Sequence, residues 1–185
     1  QVVREVKFEK MENEININSR IVGDKHPAYI IAEIGLNHNN STKIAKELID
    51  NAVIAGCDAV KFQTYETDSR VSNKVKSANY IEKITDQEET LSQTFDKYNL
   101  TYKEQINLFK YARSKGLIIF STPFDIESSN FLNDKLNVDC FKIASVDLVN
   151  LPLIKHVSSF GKPIILSCGM SNLAEIEDAL DSVIS

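Results

Sequence analysis

The fold class predicted by this sequence is a parallel-sheet α/β protein, the first five βα units of a (β/α)8 TIM barrel, and three observations predict it. The first is a repeated segment design. "AGCDAVKFQT" (55–64), "KGLIIFSTPF" (115–124), "LNVDCFKIAS" (136–145) and "FGKPIILSCGM" (160–170) each open near Gly or Asn, continue as a short apolar run and end in polar or small residues. Gly and Asn close helices in the left-handed conformation, and such apolar runs suit strands buried on both faces. A fifth run, "YIIAEIG" (29–35), has the strand pattern without a helix before it. The second observation is helical patterning between the runs. Strand–helix alternation with short connections requires parallel strands and right-handed crossovers. The third is that no GxGxxG or GxxxxGK[ST] occurs, which removes the signatures of nucleotide-binding doubly wound sheets. A whole barrel takes about 250 residues, so a chain of 185 residues is expected to hold a barrel cut after its fifth unit.

In chain order, residues 5–28 alternate apolar and polar positions ("VKFEK", "INI", "RIV") around polar turns, predicting a β-hairpin. The expected organisation is a hairpin extension over 1–28 and a truncated barrel over 29–185. In "STKIAKELIDNAVIAG", Ile44, Ala45, Leu48, Ile49, Ala52 and Ala55 share one face, with Ser41 or Thr42 as N-cap and Gly56 as the stop. "YKEQINLFKYARSKG" repeats the pattern with Ile106, Leu108, Phe109 and Ala112 and ends at Gly116. "IESSNFLNDKL" and "LPLIKHVSSFG" read as shorter crossovers, and "NLAEIEDALDSVIS" opens another helix. Residues 65–101 make an unusually long connection with an extra helix at "QEETLSQTFDKY".

A net charge of −5 argues against general binding to nucleic acid or anionic membranes. No apolar run approaches the roughly 20 residues that span a bilayer, and "QVVREVKFEKMENE" is too charged for a signal peptide. Cys57, Cys140 and Cys168 lie in or beside apolar runs without CxxC spacing, which predicts reduced, buried thiols and a cytoplasmic location. Cys168 is read as packing rather than as a nucleophile.

Lys61 ends one apolar run and Lys142 interrupts another. If Val60 and Phe62 face the helices, Lys61 and Gln63 face inward; by the same alternation Phe141 and Ile143 turn Lys142 inward, and Ala32 and Ile34 turn Glu33 inward. All sit near strand C-termini, the face that carries barrel active sites. A buried lysine without a partner costs several kcal/mol of desolvation. Two of them with one carboxylate ask for an anion, which a phosphorylated ligand supplies. Ser121, Thr122, Ser145 and Ser167 are strand-end hydroxyls suited to its oxygens. Two other readings stay open here: either lysine could pair with Glu33 or Asp147 for the scaffold alone, or one could be a Schiff-base nucleophile depressed by the other.

Five blocks in register, "YIIAEIGLNHNNS", "AGCDAVKFQTY", "GLIIFSTPFD", "FKIASVDLVNLPLI" and "GKPIILSCGM", resemble the sialic acid synthase family over about residues 5–185. That family includes the N-acetylneuraminate, legionaminate and pseudaminate synthases and a spore-coat polysaccharide relative. The resemblance implies condensation of phosphoenolpyruvate with the open-chain aldehyde of an N-acetylated hexosamine, giving phosphate and a nine-carbon 2-keto sugar acid. It implies dependence on a divalent metal, Mn2+ or Mg2+, whose histidine ligands lie on later strands outside this chain. It also implies a homodimer completed by a C-terminal antifreeze-like domain.

By motif, Lys61, Thr122, Lys142 and Ser145 would hold the phosphate and carboxylate of phosphoenolpyruvate. Glu33 and Gln63 would line the reacting centre, and Asp147, after "KIAS", would manage the water or the tetrahedral intermediate. Glu33 and Asp147 are thus the expected catalytic pair, and Ser167 would contribute to the pocket. Cys168 stands where the family's "LSTGM" has a hydroxyl, so no polar role is expected of it. His38 in "GLNHNN" is expected to be structural, and Asn79 and Tyr80 in the long connection are candidates to touch the sugar. With later strands missing, the chain alone is expected to be inactive and marginally stable or oligomeric. The runners-up are a 3-deoxyoctulosonate-phosphate-type synthase and a non-catalytic module that binds phosphate or phosphoenolpyruvate.

Overall fold

The computed structural model describes residues 14–71 and 90–184. The early part of the expected hairpin, and Asn79 and Tyr80, lie outside them. The later part is an antiparallel pair, β1 (Glu14–Ile17) with β2 (Arg20–Gly23). Asn18 and Ser19 between them both hold positive φ, 48° and 66°, the two-residue turn whose twist suits paired strands. Buried Ile17 anchors the hairpin to the core.

β3 (Ile31–Gly35), β4 (Ala59–Thr64) and β5 (Ile118–Pro123) form a parallel sheet in that order. β6 (Phe141–Ile143) and β7 (Ile164–Leu166) form a second parallel pair. β5 lies beside β6, but the two ladders are not joined. The five expected strands are therefore present and parallel in an α/β fold, as two ladders rather than one continuous run. No closed barrel is formed among the described residues.

Each of β4 to β7 is fed by a helix that ends where a left-handed residue, Gly56, Gly116, Asn137 or Gly161, lets the chain reverse. α1 (Thr42–Ile54) starts at Ser41, whose Oγ accepts from Ile44 N–H, and buries Ala45, Ile49 and Ala52. Ala55, expected on that face, is exposed because the helix stops at Ile54 and the chain turns at Gly56, φ 73°. A single turn, α2 (Thr67–Arg70), follows β4, and α3 (Leu91–Tyr98) opens with a capping box of Thr90 and Gln93. α4 (Tyr102–Ser114) opens with a second box, Thr101 and Glu104, and ends at Gly116, φ 83°. α5 (Ile126–Asn130) runs into a wider π turn at Phe131–Lys135, and Asn137 closes it at φ 43°. α6 (Leu151–Ser158) and α7 (Leu173–Ile184) complete the described helices.

The core lies between the strands and these helices. Phe62 meets the rings of His38 and Phe109 at 5.9 and 6.3 Å, and Phe141 stacks on Phe160 at 5.5 Å. Those contacts fix the helix-facing side of β4 and β6, so their lysines occupy the opposite side. All three cysteines are free. Cys140 is buried, and burial pushes its thiol up to about 12. Cys57 is half-buried, whereas Cys168 is exposed, contrary to expectation, because β7 ends at Leu166 and the chain leaves the sheet. Among the described residues no helix is long and apolar enough to cross a membrane.

Candidate active site

Lys61 is the centre of the site. Its side chain is 9% exposed, and Nζ uses its three donors on Glu33 Oε2 (2.9 Å), Thr122 Oγ1 (2.9 Å) and the Phe62 carbonyl (3.4 Å). Strand alternation brings these together. Glu33 pairs with Lys61 across β3 and β4, and Thr122 pairs with Gln63 across β4 and β5. The Glu33 side chain is 54% exposed, so the carboxylate leans out at the strand end.

The β3–β4 register slips between Glu33 and Gly35, an irregularity of the kind that re-aims a side chain at a strand end. Gly35 has φ 53°, and a Cβ there would lie 3.1 Å from Glu33 Oε1 and 3.5 Å from Gln63 Nε2. The glycine thus lets the carboxylate and the amide approach over its backbone.

Lys142 holds a second ammonium on the same side. It donates to the Ile143 carbonyl at 2.7 Å and, by a short contact, to Ser167 Oγ. Burial lowers its pKa, the charge of Lys61 lowers it further, and Glu33 acts in the opposite direction. The two lysines and one carboxylate therefore sense one another. The pairing of Lys61 with Glu33 matches the scaffold reading in part; Lys142 is not paired with Asp147.

Ser145 and Asp147 stand in the 3-10 turn directly after β6. Burial raises the Asp147 carboxyl above its ordinary range, while Arg70 and Asn150 oppose that. Its Oδ2 is buried without a hydrogen-bond partner. Ser121 departs from expectation. It shares the helix side with Thr64, bonded to it at 2.7 Å, and Thr64 in turn donates to Gln105 Oε1 at 2.8 Å. Period-two alternation that turns Thr122 inward necessarily turns Ser121 away. His38 is a buried ring on Phe62 whose Nδ1 accepts from Asn40 N–H at 3.1 Å, and burial lowers its pKa.

Sequence reasoning missed Arg70. Its Nη1 donates to Gln63 Oε1 at 3.4 Å, and burial lowers its pKa to about 10. Nothing in "ETDSR" signals this, because the partners come from distant segments. Asp125 was also missed. It caps α5 through Ser128 and accepts from Glu66 N–H at 2.9 Å, tying the β4 exit to the β5 exit. An Asp three residues before Ser128 is a readable cap signal. Among the described residues no group of three or more His, Cys, Asp or Glu could hold a metal ion.

The chain is similar to proteins that make sugar acids. It is 43% identical to N,N'-diacetyllegionaminic acid synthase of Campylobacter jejuni, over 82% of this chain and 45% of that protein. It is 34% identical to pseudaminic acid synthase of Helicobacter pylori, over 83% of this chain and 45% of that protein. The chain thus spans about half the length of these curated relatives. The crystal structure of an N-acetylneuraminic acid synthetase of Leptospira borgpetersenii, solved with citrate, superposes with a TM-score of 0.79 at 30% identity, covering 92% of this chain and 55% of that one. The NeuB family model matches residues 48–185, and the chain belongs to the NeuB family.

Proposed function

We propose that this chain is the phosphoenolpyruvate-holding part of a (β/α)8 sugar acid synthase, which joins phosphoenolpyruvate to the open-chain aldehyde of an N-acetylated hexosamine. The observation that carries the reading is the pair of ammoniums, Lys61 and Lys142, facing one half-exposed carboxylate. Phosphoenolpyruvate carries up to three negative charges, and such a pair offsets their desolvation. Thr122 and Ser167 steady the two ammoniums, and Ser145 follows β6 in the 3-10 turn. When the ligand arrives, Lys61 exchanges the Glu33 carboxylate for the anion, and Glu33 is freed at the reacting centre beside Gln63.

In the proposed reaction C3 of phosphoenolpyruvate attacks the aldehyde carbon. Water adds at C2, and phosphate leaves by C–O cleavage. Asp147, whose carboxyl burial holds above its ordinary range, takes the proton of that water; the alkoxide formed from the aldehyde oxygen takes up a proton to become the new hydroxyl, and the C2 hydroxyl gives its proton to the departing phosphate as the ketone forms. The protein's share is orientation and electrostatic stabilisation of a cation developing between anions. Mn2+ or Mg2+ and a homodimer are further expectations of the resemblance. The described residues do not fit a metal site, and no step here uses one.

The test is phosphate release by the intact protein from phosphoenolpyruvate with a panel of N-acetylated hexosamines. Release with at least one is expected; no release with any of them overturns the proposal.

A further inference from the structure

We propose that Arg70 is a positioning residue that locks the Gln63 amide with its oxygen toward the guanidinium and its NH2 toward Glu33, so that Gln63 acts as a hydrogen-bond donor at the reacting centre. This rests on the function proposed above. The guanidinium carbon lies 3.5 Å from the ring centroid of Phe124, 3.7 Å from that of Phe95 and 4.4 Å from that of Tyr65. The three rings come from three places: Tyr65 directly follows β4, Phe95 is in α3, and Phe124 directly follows β5. They are fastened to one another. Tyr65 Oη–H donates to the Phe95 carbonyl at 2.9 Å, and its ring meets those of Phe95 and Phe124 at 5.4 and 6.2 Å. A cation held on three aromatic faces has little freedom to turn.

From that cage Nη1 reaches Gln63 Oε1 at 3.4 Å. A guanidinium only donates and a carboxylate only accepts. Gln63 lies between one of each. Its Nε2 and Glu33 Oε1 both crowd the same empty point above Gly35, 3.5 and 3.1 Å from where a Cβ would be. With the amide as described, the oxygen accepts from the guanidinium and the NH2 lies on the Gly35 side, where the Glu33 carboxylate also sits. Flipped, the NH2 would oppose the guanidinium and the oxygen would oppose the carboxylate. Arg70 and Glu33 thus select one of two amide orientations, and the selected one offers N–H to an oxygen of the incoming acceptor.

The experiment reads the amide directly and then its effect. In the folded protein, nuclear Overhauser contacts from the Gln63 side-chain NH2 to Gly35 Hα are expected, and Arg70→Met, which keeps an apolar stem among the rings, should lose them. In kinetics, Arg70→Met should lower kcat/KM for the acceptor sugar about 10-fold while KM for phosphoenolpyruvate stays within about twofold. In a Gln63→Leu background the same change should cost less than about twofold, because the residues act as a unit. Persistence of the contacts in Arg70→Met, or an equal loss in both backgrounds, overturns the proposal. Should Arg70→Met not fold, Gln63→Glu decides. It keeps an acceptor for Arg70 but no donor, so about a 10-fold loss is expected with folding intact, and full activity overturns the inference. If the wild type releases no phosphate with any sugar, the functional reading fails, and the NH2 contacts still decide the role of Arg70.

Discussion

Lys61 has all three of its donors satisfied before any ligand is present, one of them by a carboxylate that is half in solvent. A charge-assisted contact in such a site contributes about 1.5–3 kcal/mol. Lys61→Met should therefore fold normally and lower kcat/KM for phosphoenolpyruvate by roughly 10- to 150-fold, measured by steady-state kinetics beside a thermal melt. A variant that melts early but keeps near-normal kinetics per folded molecule would assign the lysine to the scaffold. Asp147 makes the opposite trade. Burial raises its pKa from an ordinary 3.8, so the charged form weakens the fold at neutral pH, and that penalty fades as pH falls toward 3.8. Asp147→Asn should raise Tm at pH 7, with the gain shrinking on acidification, while activity falls. His38 contributes to the acid sensitivity of the fold. Its pKa lies below the ordinary 6.5, so the unfolded chain takes up the proton first. Stability should be full above pH 6.5 and decline as pH drops through the folded pKa. Urea unfolding at several pH values should show a shallower decline in His38→Phe.

At the scale of elements, α4 links a cap, a buried polar network and the strand that carries Lys61. Thr101 and Glu104 satisfy the first N–H groups of the helix reciprocally. Thr101→Ala should cost about 1 kcal/mol, read in urea, and Thr101→Ser should recover most of it. One turn further, buried Gln105 accepts from Thr64 Oγ1 and donates to the Leu100 carbonyl at 3.0 Å. Gln105→Ala would take the donor from the Leu100 carbonyl and leave Thr64 only its bond to Ser121, at about 1–3 kcal/mol. This network holds the helix side of β4 and β5 at the level where their other side presents Gln63 and Thr122, so a loss in stability there should come with a looser site. The short exits of β4 and β5 are joined by Asp125 and by the Tyr65–Phe124 contact, which is how a four-residue helix comes to hold Arg70 in place.

For the molecule as a whole, two lysines facing one carboxylate should make the free site favour anions. Binding to the folded state alone stabilises by RT ln(1 + [L]/Kd), about 2.7 kcal/mol at 100 times Kd. Phosphoenolpyruvate should raise Tm of the intact protein accordingly, an uncharged N-acetylated hexosamine alone should not, and Lys142→Ala should abolish the shift. A thermal shift that survives Lys142→Ala would remove this lysine from the anion site. Met170 and Leu173 are exposed between β7 and the start of α7, and Ile184 is exposed at the far end of that helix, 69%, 84% and 82%.

Much of the element order was legible because it rests on local physics. Gly56, Gly116, Asn137 and Gly161 mark helix ends since a left-handed φ suits few residues, and period-two alternation told Lys61, Lys142 and Glu33 from their helix-facing neighbours. The same rule, applied residue by residue, turns Ser121 away; residue type alone does not show it, because a strand-end hydroxyl looks alike on either side. Cys168 and Ala55 depart from the pattern for a related reason, since each lies just past the end of an element where periodicity no longer holds. What no local pattern contains is the meeting of segments far apart in sequence. Arg70 became visible only when Tyr65, Phe95 and Phe124 closed around it. The sequence by itself determined which side chains stand at the strand ends; the tertiary structure decided which of them touch, because contact between distant segments depends on packing of the whole core and not on the spacing of any one stretch.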